Sequence, residues 1–543
     1  MKPVGHRQRG ATGSIRPQAW VTGAAILALI LGACNDASPS PTPPADGAPS
    51  TEPSAAPSAS AYAGLWVDAT AETIGSTADW TNKVEAADIN GDGFVDLIFP
   101  NGGDYETPGE PVATQVFLNG FPEEQAFTDA TTSVMGELVA LARVSKVADL
   151  NADLIPDIVL GTTYQTQSQL LLGTGGGAFS NATAQLPQLP LSVGDIDIGD
   201  VDADGDIDLV LADWGPGSPM ENTGGRVRLW LNNGAGTFTD VTDARMPGTL
   251  VRFCWELELM DVDNDWDLDL AVSSKRSETS FLFENDGSGT FTDVTPDRLP
   301  HFTNNYEFEP MDLDGDGYLD LVTINDGDAF GEHVFRNDGS GAFEDMTAEW
   351  WPSSENPAGE DDNNIAFLDV DSDGDADFLV GSLTSADRLM INDGSGHLTL
   401  EMAAFNAPIS AGTLGMTVAD LNNDGRLDVV EAQGENPQAE DERIYLATEA
   451  VPRDSSPPVV VTDLDGSASG AVTVHARVHD FMVHRSGDGW TVGVVWDGAP
   501  GSVPLEWYGE FLFRATFTVP AGATDLRVCA TDGVGNETCV PAS

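Results

Sequence analysis

Seven times between residues 88 and 428 the chain repeats one acidic pattern, with an aspartate at positions 1, 5 and 9 and Asp or Asn at position 3. The copies are DINGDGFVD (88–96), DLNADLIPD (149–157), DVDADGDID (200–208), DVDNDWDLD (261–269), DLDGDGYLD (312–320), DVDSDGDAD (369–377) and DLNNDGRLD (420–428). Successive starts are 61, 51, 61, 51, 57 and 51 residues apart. A period in this range marks a supersecondary unit that buries its apolar face only against its neighbours.

The surroundings of each copy identify that unit. Apolar alternation precedes the motif and a β-rich run such as LVLAD (209–213) follows it. A second strand, a Gly-rich turn such as RLWLNNGAGTF (228–238) and a short FTDVT-like strand complete the repeat. Four short strands per repeat, with almost no helical periodicity, predict a seven-bladed β-propeller. Six repeats carry an outer strand of the form aromatic-x-Asp/Asn-x-Thr or a weakened version, as in Phe127-x-Asp129-x-Thr131. The seventh ends at RIYLATEA (443–450) without one, and the missing piece stands at the start as Trp66-x-Asp68-x-Thr70. The N-terminal strand is therefore expected to complete the last blade and close the ring, removing an exposed edge.

The seven motifs and the NDGSG turns that accompany them resemble the FG-GAP/VCBS repeat family, which includes the seven-bladed propeller of integrin α subunits. The resemblance covers about 63–450. After PRDSSPPVVV the motif stops, and alternating segments over 455–543 (AVTVHARVHD, WTVGVVWDG, EFLFRATFTV) predict a small Ig-like β-sandwich. The expected fold class is all-β: a seven-bladed propeller followed by that sandwich.

In the motif, positions 1, 3, 5 and 9 supply side-chain oxygens and position 7 a backbone carbonyl. Hard oxygen donors in a tight loop, with Gly at the sharp bend, suit Ca²⁺. The spacing resembles the start of an EF-hand loop without its twelfth-position Glu. The expected ligands are Asp88, Asn90, Asp92 and Asp96; Asp149, Asn151, Asp153 and Asp157; Asp200, Asp202, Asp204 and Asp208; Asp261, Asp263, Asp265 and Asp269; Asp312, Asp314, Asp316 and Asp320; Asp369, Asp371, Asp373 and Asp377; and Asp420, Asn422, Asp424 and Asp428. Up to seven Ca²⁺ sites follow. The second is expected to be weakest, because Leu154 replaces Gly where a left-handed residue is needed and Pro156 precedes the last Asp. Trp266 raises the same objection in the fourth.

Strands within a blade alternate direction, so motif loops and NDGSG turns share one face and the longer connections (101–113, 214–225, 349–363) share the other. Variable loops on a rigid ring are where recognition is expected. Trp214, Tyr306, Trp350 and Trp351 are candidates there for stacking on sugar rings. On the innermost strands, Asp195/Asp197, Glu256/Glu258 and Glu307/Glu309 alternate with apolar residues in three consecutive blades. Convergence of these carboxylates near the axis predicts a polar channel lining, a cation site or an acid/base pair. His475 and His479 share one face of their strand, which is expected to be exposed.

The ends place the protein. Lys2, Arg7, Arg9 and Arg16 precede the apolar run VTGAAILALILGA (21–33), which is too short for a comfortable span and meets a cysteine at Leu31-Gly32-Ala33-Cys34. This resembles a bacterial lipoprotein signal (1–33) with Cys34 acylated; residues 34–62 are a Pro/Ser/Ala-rich tether. The implied location is the cell envelope, with Asn35 a weak pointer to the outer membrane or cell surface. Cys529 and Cys539 flank a turn and are expected to form a disulfide, leaving Cys254 as a buried thiol. With 23 basic against 88 acidic residues, the surface repels nucleic acid and anionic lipid and attracts cations. The expected activity is that of a monomeric, calcium-binding surface lipoprotein engaging an extracellular glycan or protein, as in adhesion. The alternative is a polysaccharide-degrading enzyme using the axial acids.

Overall fold

The ninth residue of every motif is the first residue of a strand: Asp96, Asp157, Asp208, Asp269, Asp320, Asp377 and Asp428 each open the second strand of a four-stranded antiparallel blade. The computed structural model describes residues 60–543 apart from 104–106, 122–125, 219–221, 326–330, 357–360, 406–411, 435–440, 467–470 and 483–488. The leader, Cys34 and nearly all of the tether lie outside the described residues. Among the described residues, no helix is long and apolar enough to cross a membrane.

The third blade shows the plan: Val193–Gly199, Asp208–Asp213, Val227–Leu231 and Thr239–Asp240, in that order. The innermost strands of successive blades are neighbours around the ring. Glu85–Ala87 of the first blade lies beside Thr413–Ala419 of the seventh, which closes it. The seventh blade takes its outer strand from the N-terminus: Trp66–Asp68 pairs antiparallel with Arg443–Ala447. Trp66 is fully buried, stacks on Phe405 at 5.2 Å and donates its Nε1–H to the Leu427 carbonyl at 2.9 Å.

The aromatic-x-Asp-x-Thr pattern has a local cause. The aspartate Oδ1 accepts the threonine N–H, as between Thr131 and Asp129 at 2.9 Å, in the turn that leads into a one-turn helix. The threonine Oγ1 then accepts an N–H of the third strand, as from Val116 at 3.0 Å. In the closing strand Asp68 and Thr70 do the same, with Ile444 as the donor.

A seam between blades was not anticipated from the sequence. Asn119, Asn232, Asn285, Asn337 and Asn392, at the ends of third strands, each donate Nδ2–H to a carbonyl in the preceding blade's motif loop: Leu421, Leu150, Val201, Val262 and Leu313. The second and seventh blades carry Gly173 and Ala447 at the corresponding place.

Residues beyond 458 form two four-stranded antiparallel layers. One comprises Val459–Gly466, Ala471–His479, Glu506–Gly509 and Leu512–Thr518; the other, Thr491–Asp497, Ser502–Pro504, Thr524–Thr531 and Glu537–Pro541. Val474, Val478, Val494, Trp496, Phe513 and Val528 fill the space between them. Cys529 and Cys539 are disulfide-bonded.

This sandwich packs on the motif-loop side of the propeller. Its first layer continues into the third blade, where Gly509 pairs with Gly199. Glycine eases that approach, since a Cβ on Gly199 would sit 3.1 Å from the Tyr508 carbonyl and one on Gly509 3.3 Å from the Gly199 Cα, both tight contacts. Tyr508 accepts the Asp200 N–H at 2.8 Å and donates its hydroxyl to the Trp266 carbonyl at 2.9 Å. The His475/His479 face is therefore covered, not exposed as expected. His475 stacks on Trp266 at 5.7 Å, and His479 is buried against Phe481 and Phe511.

Candidate metal centres and the axial chamber

All seven motif loops share one backbone conformation, with positions 4 and 6 both left-handed: Gly91/Gly93, Ala152/Leu154, Ala203/Gly205, Asn264/Trp266, Gly315/Gly317, Ser372/Gly374 and Asn423/Gly425. Leu154 and Trp266 therefore adopt the conformation that glycine favours, at φ 66° and 70°, instead of refolding their loops.

The first aspartate curls the loop by accepting its N–H groups. In the third loop, Asp200 takes Asp204 N–H at 3.1 Å and Gly205 N–H at 2.9 Å. Asp88, Asp149, Asp312, Asp369 and Asp420 accept the equivalent pairs. In the fourth loop, bonds from residues 265 and 266 to Asp261 are absent among the described residues, and Arg477 Nη1 lies 3.7 Å from its carboxylate.

The ninth aspartate is a brace. Asp208 Oδ2 accepts Val201 N–H and Oδ1 accepts Asn232 N–H, and the same two bonds recur in all seven loops. Outside the second loop, where Asn151 Nδ2–H also donates to Asp157 at 3.1 Å, each oxygen keeps a second lone pair for a cation. Burial pushes these carboxyls up, Asp96 to about 7, Asp208 and Asp320 to about 8 and Asp377 to about 9, against the pull of the N–H bonds.

The donor set fits a hard cation. Asp200, Asp202 and Asp208 place carboxylate oxygens within 4.8 Å of one another. Buried oxygens without hydrogen-bond partners occur at position 3 of four loops: Asp202, Asp263, Asp371 and Asn422. Asp424 at position 5 and Asp375 at position 7 hold further ones. Arginines meet several loops from outside: Arg298 lies 2.9 Å from Asp263, Arg336 2.5 Å from both Asp314 and Asp316, Arg426 3.2 Å from Asp424 and Arg245 3.5 Å from Asp202. Arg514 of the sandwich pairs with Asp200.

At the axis, the structure brings the predicted acids together. Glu256, Glu307 and Glu309 have oxygens within 4.8 Å of each other, as do Asp195, Glu256 and Glu258. Sequence reasoning missed their counter-charges. Lys83 Nζ reaches Asp195 at 2.8 Å and Glu256 at 2.6 Å, and Lys146 reaches Asp197 at 3.3 Å. Glu307 accepts Asn364 Nδ2–H and Ile365 N–H, both at 3.0 Å. Burial pushes Glu309 up to about 8. The chamber among these groups holds about 220 Å³, and Met482, Trp507, Glu510 and Phe511 of the C-terminal region line it.

The four aromatic candidates are packing residues, which corrects the expectation that they stack on a ligand. Trp214 is fully buried, donates to the Cys254 carbonyl and shares the Arg143 guanidinium with Trp255, at 4.7 and 4.0 Å from the ring centres. Tyr306 packs edge-on to Trp255 at 5.3 Å beneath Lys275. Trp350 lies under Gly396, and Trp351 packs edge-on to Phe378 at 5.4 Å. A large ring at the mouth of a β-strand loop gains more from filling the gap between blades than from facing water. Cys254 is buried, and burial pushes its thiol up.

The FG-GAP-like repeat model matches five overlapping stretches, 149–211, 200–272, 261–323, 312–380 and 369–431. Each begins at a first aspartate and ends in or near the second strand of the next blade. Among solved structures, a protein from Lactobacillus plantarum is 14% identical, with 61% of this chain and 86% of that chain covered and a TM-score of 0.39. The V. cholerae biofilm matrix protein Bap1 is 13% identical, with 88% and 76% covered and a TM-score of 0.32. A search of curated proteins finds no match.

Proposed function

The chain belongs to the FG-GAP-like repeat family, and from that premise we propose that it is a calcium-loaded propeller acting as a ligand-binding module of the bacterial envelope. The observation that carries this reading is the set of buried, partnerless oxygens at position 3 of the motif loops, at Asp202, Asp263, Asp371 and Asn422. A buried carboxylate or amide oxygen without a donor costs free energy, and a cation in the loop removes that cost. The first, third, fifth and ninth residues of each motif would hold the ion. When bound, calcium supplies charge neutralisation and stiffens the loops; the chain's own N–H groups and Asn seam set their shape.

Recognition of an extracellular glycan or protein, as in adhesion, is assigned to the side opposite the motif loops, because the sandwich covers part of the motif side. Cys34 would tether the molecule through its lipid. The chamber argues against polysaccharide cleavage at the axis: about 220 Å³ is below the roughly 300–1,000 Å³ of common ligand pockets, and Glu256 is tied to Lys83. The test is co-elution of the purified protein with a polysaccharide panel in millimolar calcium. Complexes lost on chelation support the reading, shortened polysaccharides overturn it, and no complex redirects the search to protein partners.

A further inference from the structure

The axial chamber contains more carboxylates than its described lysines pair with at close range. Among the described residues, Glu85, Asp197, Glu256, Glu258, Glu309 and Glu510 line it, with Lys83 and Lys146 as the cations. Lys83 is engaged with Asp195 and Glu256, and Lys146 with Asp197. Among the described residues, neither Glu258 nor Glu510 has an ion pair, although both are more than nine-tenths buried.

Asp197, Glu258 and Glu510 offer oxygens within 4.8 Å of one another. Asp197 is locked in place: its Oδ1 accepts Ile198 N–H at 2.9 Å and its Oδ2 accepts Leu259 N–H at 2.8 Å. Glu510 comes from the sandwich, through a turn in which it takes a left-handed φ of 43° that a glutamate ordinarily avoids. One of its oxygens is within hydrogen-bonding reach of Asp197. Its Oε2 is buried and accepts no hydrogen bond from a donor. Three carboxylates from two domains in this small a space need a shared cation, or protons in its place, to coexist.

We propose that Asp197, Glu258 and Glu510 form an eighth metal site, for a hard divalent cation of the Ca²⁺/Mg²⁺/Mn²⁺ class, which ties the C-terminal sandwich to the propeller axis. All-oxygen, carboxylate-rich donors select that class over softer metals. The site is independent of the motif loops, since none of its ligands belongs to a motif.

Equilibrium dialysis of the purified full chain against calcium, and separately manganese, tests it. Glu510→Gln and Glu258→Gln are each expected to lower bound metal by one equivalent, and the double variant by one, not two. Asp371→Asn, in a motif loop, is expected to change the count independently, so that Asp371→Asn/Glu510→Gln shows both losses. Melting supplies a second reading. Glu510→Gln is expected to melt below wild type in calcium and at or above wild type in excess chelator, where only carboxylate repulsion remains. An unchanged metal count in both single variants overturns the proposal and identifies shared protons as the neutralising charge.

Discussion

The side-chain amide of Asn285 donates to the Val201 carbonyl at 2.8 Å across the boundary between the fourth and third blades. The same residue fastens its own blade, since its N–H donates to Asp269 at 2.7 Å and its Oδ1 accepts Gly289 N–H at 3.0 Å. The ninth aspartate of one motif is thus linked, through one asparagine, to the motif loop of the blade before it.

Asn285→Ala is therefore expected to cost about 1–3 kcal/mol, because it leaves buried carbonyl and N–H groups without partners. Chemical denaturation of the variant measures this. A loss below a few tenths of a kcal/mol would show that the seam does not hold the ring.

The closing strand makes a second prediction. Trp66→Ala removes a fully buried indole and its bond to Leu427, at an expected cost of about 3–5 kcal/mol. A melting scan followed by light scattering should show a lowered transition and aggregation from the exposed edge of Arg443–Ala447.

Much of this was legible in advance, for a physical reason. The loops, the outer-strand pattern and the ring closure are local chemistry repeated at a fixed period, so each copy corroborates the others. The seam residues Asn119, Asn232, Asn285, Asn337 and Asn392 also repeat, but an asparagine before a turn reads as turn chemistry until its partner in the next blade is known. What occurs once was not legible. Glu510 reaches the axis only because the Gly199–Gly509 contact docks the sandwich there. Lys83 and Lys146 become counter-ions only when the ring closes. Trp214 and Trp351 are candidates for stacking on a ligand when only the loops that border them in sequence are known, whereas packing between blades buries them.

The second loop carries a removable strain. Leu154 is 91% exposed with φ 66°, so its side chain gains little from packing while paying the left-handed penalty. Leu154→Gly is expected to raise stability by about 1 kcal/mol. Trp266→Gly is expected to lower it, because that ring stacks on His475. Paired melting curves check the opposite signs.

Acid is expected to loosen the C-terminal sandwich through His479. Burial holds this histidine neutral, lowering it from 6.5 to about 3. Only the unfolded chain takes up the proton as pH falls below 6.5, so the stability is present above that pH and is lost progressively down to about 3. Between pH 7 and 5 the loss is about 2 kcal/mol. The raised carboxyls act in the opposite direction, so the test compares wild type with His479→Gln. The variant should lose less stability over this range, and an equal loss would contradict the assignment.

The central claim is that the motif loops hold calcium as part of the folded structure. At tenfold excess over Kd one site contributes about 1.4 kcal/mol, and six sites on the order of 8 kcal/mol. The most direct measurement is the melting temperature of the purified protein in millimolar calcium and in excess chelator. A fall of ten degrees or more on chelation, reversed by added calcium, on the order expected from that contribution, is the predicted result. An unchanged melting temperature would contradict the account.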